Sequence, residues 1–360
     1  MIDESILKTG ERAVFALRQL YRSHGYLPYK MSKFEELEYY IRNKDFLISD
    51  RFITFNDLGG KLMALKPDVT LSIVKSQAPA PGCTQKVYYN ENIYRADRDK
   101  SRFCEMMQAG LECIGSIGLY DIYEAITLAA QSLALISGEF ILQISHLGIL
   151  SAALDKIGAD ESFRREAIAC ISEKNAHDLA RICRENGADP EALTGFITAY
   201  GDRDSVIEKL EAFCPCAALE ELKALSSLLD GAPYSDRIIF DFSAVGDMNY
   251  YNGILMGGYI SGISDRLLSG GQYDKLMKKL GRPDDKAIGF ALYLDLLEQL
   301  PESRSGYDVD VLLLYDDPAD AAREVACLTA AGKTVSAQRE ENSPIRYRER
   351  LDLRKEAGVC

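Results

Sequence analysis

Gln108-Ala109-Gly110-Leu111-Glu112 sets an amide, a glycine and a carboxylate two residues apart. In an extended chain that spacing puts all three on one face and turns Leu111 and Cys113 to the other. Such a face either floors a polar pocket or, in a purely structural strand, meets water. Asp68 and Thr70, within Lys66-Pro67-Asp68-Val69-Thr70, add a second carboxylate and a hydroxyl. A buried ammonium needs that pair, because desolvating an unpaired cation is far too costly. The same five residues also suit a type I turn with proline in its second place. Metal chemistry finds little support. The nine cysteines make no C-x-x-C pair, only Cys214-Pro215-Cys216, and with three histidines (His24, His146, His177) no zinc spacing appears.

These residues need elements to hold them. Apolar positions at helical spacing predict a helix over 3–23, stopped by Gly25. Alternation over 50–65 around Asp57-Leu58-Gly59-Gly60-Lys61 predicts a hairpin, and 87–94 and 108–114 two further strands, joined by the charged loop 97–102. Helical periods broken by Gly158, Gly187 and Gly201 fill 146–231, an inserted helical subdomain. Strand character returns over 237–242 and 253–263, and a helix is expected to close the domain over 288–300. Strands on both sides of a helical insertion fit one antiparallel sheet with helices on its faces, an α+β arrangement spanning 1–304. After the polar linker 301–306 comes a small β-α-β unit, placing a second domain at 305–360. Its tail, 345–360, mixes both charge signs and reads as a solvated helix rather than a nucleic-acid patch.

Bulk properties narrow the class. An apolar share of 47% is that of an ordinary globular chain, and a net charge of −13 argues weakly against non-specific binding to a polyanion. The N-terminal residues lack a signal-peptide pattern, and no stretch approaches the roughly 18 apolar residues of a membrane span. A soluble, cytoplasmic protein with reduced thiols is expected.

The order of the motifs resembles that of histidyl-tRNA synthetases of class II. Lys66-Pro67-Asp68-Val69-Thr70 is similar to their Arg-Pro-Glu/Asp-x-Thr turn. Tyr94-Arg95-Ala96-Asp97 and Gln108 to Glu112 are similar to Phe-Arg-x-Glu and Gln-x-Gly-x-Glu on adjacent antiparallel strands. Asn249-Tyr250-Tyr251-Asn252 resembles the end of Leu-Val-Arg-Gly-Leu-Asp-Tyr-Tyr. Gly270-Gly271-Gln272-Tyr273-Asp274 and the segment Gly289 to Leu296 resemble the glycine-rich strand and the closing helix that carries Gly-Leu-Glu-Arg. The resemblance implies a histidine site. Asp68 and Thr70 would take the α-ammonium, Gln108 would lie near it, Arg95 would take the carboxylate and Glu112 the ring, with Tyr250, Tyr251 and Tyr273 around the imidazole. Arg95 equally suits a surface pair with Asp97 or Asp99, and tyrosines are more often half-buried core than ligand contacts.

The departures fall on the phosphate side. Aligning the tyrosines puts the catalytic arginine on Gly246, the triphosphate arginine falls on Leu296, and Asp97 stands for glutamate. Glycine cannot stabilise charge developing on a phosphate. Arg237, Arg266 and Arg282 remain as arginines that folding can bring near. Lys66 replaces an arginine, Ser32 falls on the dimer-interface proline, and the C-terminal unit is short for an anticodon-binding domain. This combination resembles the regulatory subunits of ATP phosphoribosyltransferase, paralogues of the synthetases. That resemblance implies no catalysis, cofactor, metal or tRNA. It implies instead self-association as a dimer, a short-form catalytic subunit as partner in a hetero-octamer, and L-histidine as feedback ligand. The competing readings are an active histidyl-tRNA synthetase or related amino-acid-adenylating enzyme, and a binding module unrelated to histidine.

Overall fold

Two 13-residue extended runs, 84–96 and 103–115, are the longest strands of this computed structural model, which describes residues 7–44, 47, 52–96, 102–246, 248, 250–300, 306–341 and 344–354. Asp97 and Asp99, Asp247, Asn249 and the linker residues 301–305 lie outside the described residues. The chain divides into two compact units, Met1–Leu300 and Pro301–Cys360.

The first unit opens with α1 (Thr9–Ser23) and β1 (Leu27–Pro28), followed by β2 (Phe34–Glu36) and α2 (Leu37–Arg42). The predicted hairpin is β3 (Thr54–Asn56) and β4 (Leu62–Leu65), closed by Asp57, whose Oδ1 accepts from Gly59 N and Lys61 N at 2.8 and 2.7 Å. With β2 it forms a small antiparallel sheet in the order β2-β4-β3. Next come α3 (Thr70–Ser76), β5 (Thr84–Ala96), β6 (Phe103–Gly115), α4 (Leu119–Ile136) and β7 (Phe140–His146).

Residues 147–229 carry α5 (Leu147–Lys156), α6 (Glu161–Ser172), α7 (Ala176–Glu185), α8 (Glu191–Thr198), the two-residue strand β8 (Tyr200–Gly201), α9 (Arg203–Phe213) and α10 (Ala217–Leu229). Their buried residues, Leu179 and Phe196 among them, join the same apolar cluster as Ile144 and Phe240 of the sheet, so the insertion shares the main core. The unit ends with β9 (Ile238–Asp241), β10 (Ile254–Ile260), β11 (Leu268–Gln272), α11 (Asp274–Lys279) and β12 (Lys286–Tyr293).

The large sheet runs β1-β5-β6-β12-β11-β10-β7-β9-β8. It is mixed rather than purely antiparallel, because β1 pairs with β5 and β7 with β9 in parallel. Parallel neighbours need a long crossover, and between β7 and β9 the helical insertion supplies one. Two further expectations are corrected. Residues 288–300 are not a helix: β12 runs to Tyr293, between β6 and β11, and only a 3-10 turn at Leu294–Gln299 follows. A short apolar run buried on both faces reads alike as strand or helix, and only register separates them.

In the second unit β13 (Val309–Leu314), α12 (Pro318–Ala330) and β14 (Val335–Gln338) form the expected β-α-β, with Asp317 capping α12 by accepting from Ala319 N at 2.8 Å. The described part of the tail, 345–354, is not a helix. Tyr347–Asp352 is a strand, β15, parallel to β13 at the sheet edge. Its exposed Arg348, Glu349 and Arg350 are the charges that blunt an edge strand, and in sequence they look like a solvated helix face. Among the described residues no helix is long and apolar enough to cross a membrane, and no cluster of metal-ligating side chains occurs.

Candidate functional site

Gln108 and Glu112 are buried on one face of β6, while Leu111 and Cys113 face the core on the other, as the two-residue spacing requires. Glu112 lies across β12, where its opposite residue is Gly289. Any Cβ at position 289 would collide with Glu112 Oε2, so glycine is the condition for a carboxylate there. The Thr70 hydroxyl, at the start of α3, donates to Glu112 Oε1 at 2.6 Å, and the Tyr273 hydroxyl, just before α11, donates to Oε2. Tyr250 hydrogen-bonds Thr70 in turn. Its ring lies 4.6 Å from that of Tyr251, edge-on, and 5.7 Å from that of Tyr273.

These side chains enclose a cavity of about 190 Å³ lined by Asp68, Thr70, Gln108, Glu112, Tyr250, Tyr251 and Tyr273, with Tyr89 and Tyr293 beside them. That is below the roughly 300–1,000 Å³ of sites for drug-sized ligands, and matches a small metabolite. Burial pushes the Glu112 carboxyl up to about 8, against the hydrogen bonds from Thr70 and Tyr273, and the charge of Asp68 adds to the rise. Asp68 is also raised by burial, opposed by the Leu71 amide on its Oδ1 at 2.9 Å and by the charge of Arg95. Lys66 gives no relief to these acids. Its side chain is buried against Glu91 and does not line the cavity. Two buried acids among aromatic rings call for a cationic group, an ammonium or an imidazolium.

Arg95 is not part of the cavity wall. Its Nε donates to the Pro67 carbonyl at 2.9 Å, behind Asp68 and beside Tyr293, and its Nη2 is buried without a hydrogen-bond partner among the described residues. Gly246 does line the cavity, with φ at +36°, and a side chain there would press on Leu255. Leu296 packs into the core instead, while Tyr293, three residues earlier, enters the cavity. Of the three candidate arginines, Arg237 faces Glu139 and Asp236, and Arg282 holds Asp285 and the carbonyls of Val74 and Gln77. Only Arg266 reaches the cavity. Sequence reasoning missed Tyr89, Tyr293 and Gly289. For Tyr293 a signal existed, since it stands where the synthetase motif has glycine.

The model of the histidyl-tRNA synthetase family matches residues 3–297. The chain belongs to that family. A curated family relative from Alkaliphilus metalliredigens, named ATP phosphoribosyltransferase regulatory subunit, is 27% identical over 288 residues, 76% of this chain and 72% of that one. Among solved structures, one titled an ATP phosphoribosyltransferase regulatory subunit/histidyl-tRNA synthetase from Bacillus halodurans superposes with a TM-score of 0.78 at 24% identity, covering 99% of this chain and 97% of that one. A chain of the ATP phosphoribosyl transferase complex from Thermotoga maritima gives 0.62 at 19% identity, over 81% of this chain and 97% of that one. The histidyl-tRNA synthetase fold is therefore common to all of them, and the expected α+β class II architecture holds.

Proposed function

We propose that this chain is a non-catalytic regulatory subunit of ATP phosphoribosyltransferase, the first step of histidine biosynthesis. In this reading it self-associates, assembles with a short-form catalytic subunit in a cytoplasmic hetero-octamer, activates it, and transmits feedback inhibition by L-histidine. The observation that carries the reading is the cavity itself. Glu112, Asp68 and the tyrosines offer a cation-binding ring site, while the wall at Gly246 is bare backbone and Tyr293 takes space beside it. A cavity of about 190 Å³ with these lining groups suits an amino acid. The curated relative named as a regulatory subunit and the solved complex support the partner.

Inhibition requires that histidine bind two conformations of the complex unequally, since equal affinity shifts nothing. Reconstitution tests this. The chain should raise phosphoribosyl-ATP formation by a short-form catalytic subunit, and L-histidine should suppress it, with Glu112→Ala relieving the inhibition. Absence of any activation overturns the reading.

A second reading, amino-acid activation with ATP, draws support from Arg266, which lines the cavity near Gly246. Histidine-dependent ATP–pyrophosphate exchange by the isolated chain decides between them. The regulatory reading expects none.

A further inference from the structure

We infer that Arg266 is the carboxylate-binding residue of the cavity and makes it selective for a zwitterionic amino acid over an amine. The inference rests on the amino-acid reading of the site. Asp68 and Glu112 form an acidic end, and among the described lining residues Arg266 is the one guanidinium. No carboxylate pairs with it among the described residues. Its Nε donates to the Tyr259 hydroxyl at 3.1 Å, and its Cζ lies 5.8 Å from the Tyr259 ring centroid. These contacts leave both terminal NH2 groups, the fork that fits a carboxylate, without a protein acid to hold.

Position 266 is also prepared for this task. Arg266 lies over Gly257 of β10, where an added Cβ would come within 3.3 Å of Nε and 3.6 Å of Cζ. A side chain at 257 would lift the guanidinium from its seat. An exposed arginine needs no such cradle, and this one is half-buried. An unpaired guanidinium held at one end of a small cavity, with buried acids at the other, matches the two charges of an α-amino acid. Arg95, the arginine that the motif pattern points to, does not line the cavity, and its Nε holds the Pro67 carbonyl.

Titration calorimetry on the full chain with L-histidine and with histamine, which keeps ring and ammonium but lacks the carboxylate, tests the assignment. Arg266→Ala should weaken L-histidine by roughly 10- to 100-fold, the range of a charge-assisted hydrogen-bonded contact, and leave histamine unchanged. Gly257→Val should cause the same selective loss with Arg266 still present. Equal loss for both ligands, or no loss for L-histidine, overturns the inference and leaves the amino-acid reading standing. Failure of the wild-type chain to bind L-histidine at all overturns both.

Discussion

The Thr70 hydroxyl stands 2.6 Å from Glu112 Oε1 and donates to it, tying the first turn of α3 to the floor of the nine-stranded sheet. One partner is positioned by the turn after Lys66-Pro67-Asp68, the other by strand alternation. The site exists only where the two meet. Thr70→Val keeps the shape and removes the donor, leaving a buried acceptor short of a partner. A loss of about 1–3 kcal/mol is expected in urea unfolding. The loss should be larger at pH 9, where the carboxylate is charged, than at pH 6, and an equal loss at both would separate the bond from the charge of Glu112.

The Glu112 carboxyl itself sets a pH dependence. Its folded value of about 8 lies above the ordinary 4.5. Between those values the folded protein holds a proton that the unfolded chain has released, so stability is fully present below about pH 4.5 and falls as pH rises through 8. The slope reaches at most about 1.4 kcal/mol per pH unit. Glu112→Gln should flatten this part of a stability curve measured from pH 5 to 9. A wild-type slope retained in the variant would assign the effect to another group.

Lys66 and Glu91 give an asymmetric pair. The lysine side chain is 1% exposed and the glutamate 14%. Glu91→Gln strands a buried cation and should cost about 3–5 kcal/mol. Lys66→Met leaves a carboxylate that still touches water, and the cost should be clearly smaller. Chemical denaturation of both variants checks the order, and the reverse order would show that the pair is held by something other than burial of the lysine.

Much of this site was legible in the chain. The two-residue spacing of Gln108 and Glu112 determines a shared face, whatever the ligand, and both are buried on it. Asp68 and Thr70 follow from the proline turn. The glycine of Gly289 was not legible in the same way, because its reason is a carboxylate on a neighbouring strand and that neighbour is known only from the register. The same ignorance of register turned β12 into an expected helix. Arg266 could be named in the chain only as one of three candidate arginines, because the strand pairing of β10 with β11 is what brings it over Gly257.

Arg95 supplies the contrast that separates positioning from recognition. Its Nε holds the Pro67 carbonyl, and its charge lowers the neighbouring Asp68. Arg95→Gln should therefore loosen the turn and raise Asp68 further. Since the charged form of Asp68 is the one that receives an ammonium, affinity in the variant should fall off at a higher pH on acidification than in the wild type. The loss at pH 7 should be roughly tenfold, about 1.4 kcal/mol, and the same for L-histidine and histamine, because both carry the ammonium. Calorimetry from pH 5 to 8 with the two ligands measures this. A loss confined to L-histidine would mean that Arg95 meets the carboxylate directly, and would transfer to it the role given to Arg266.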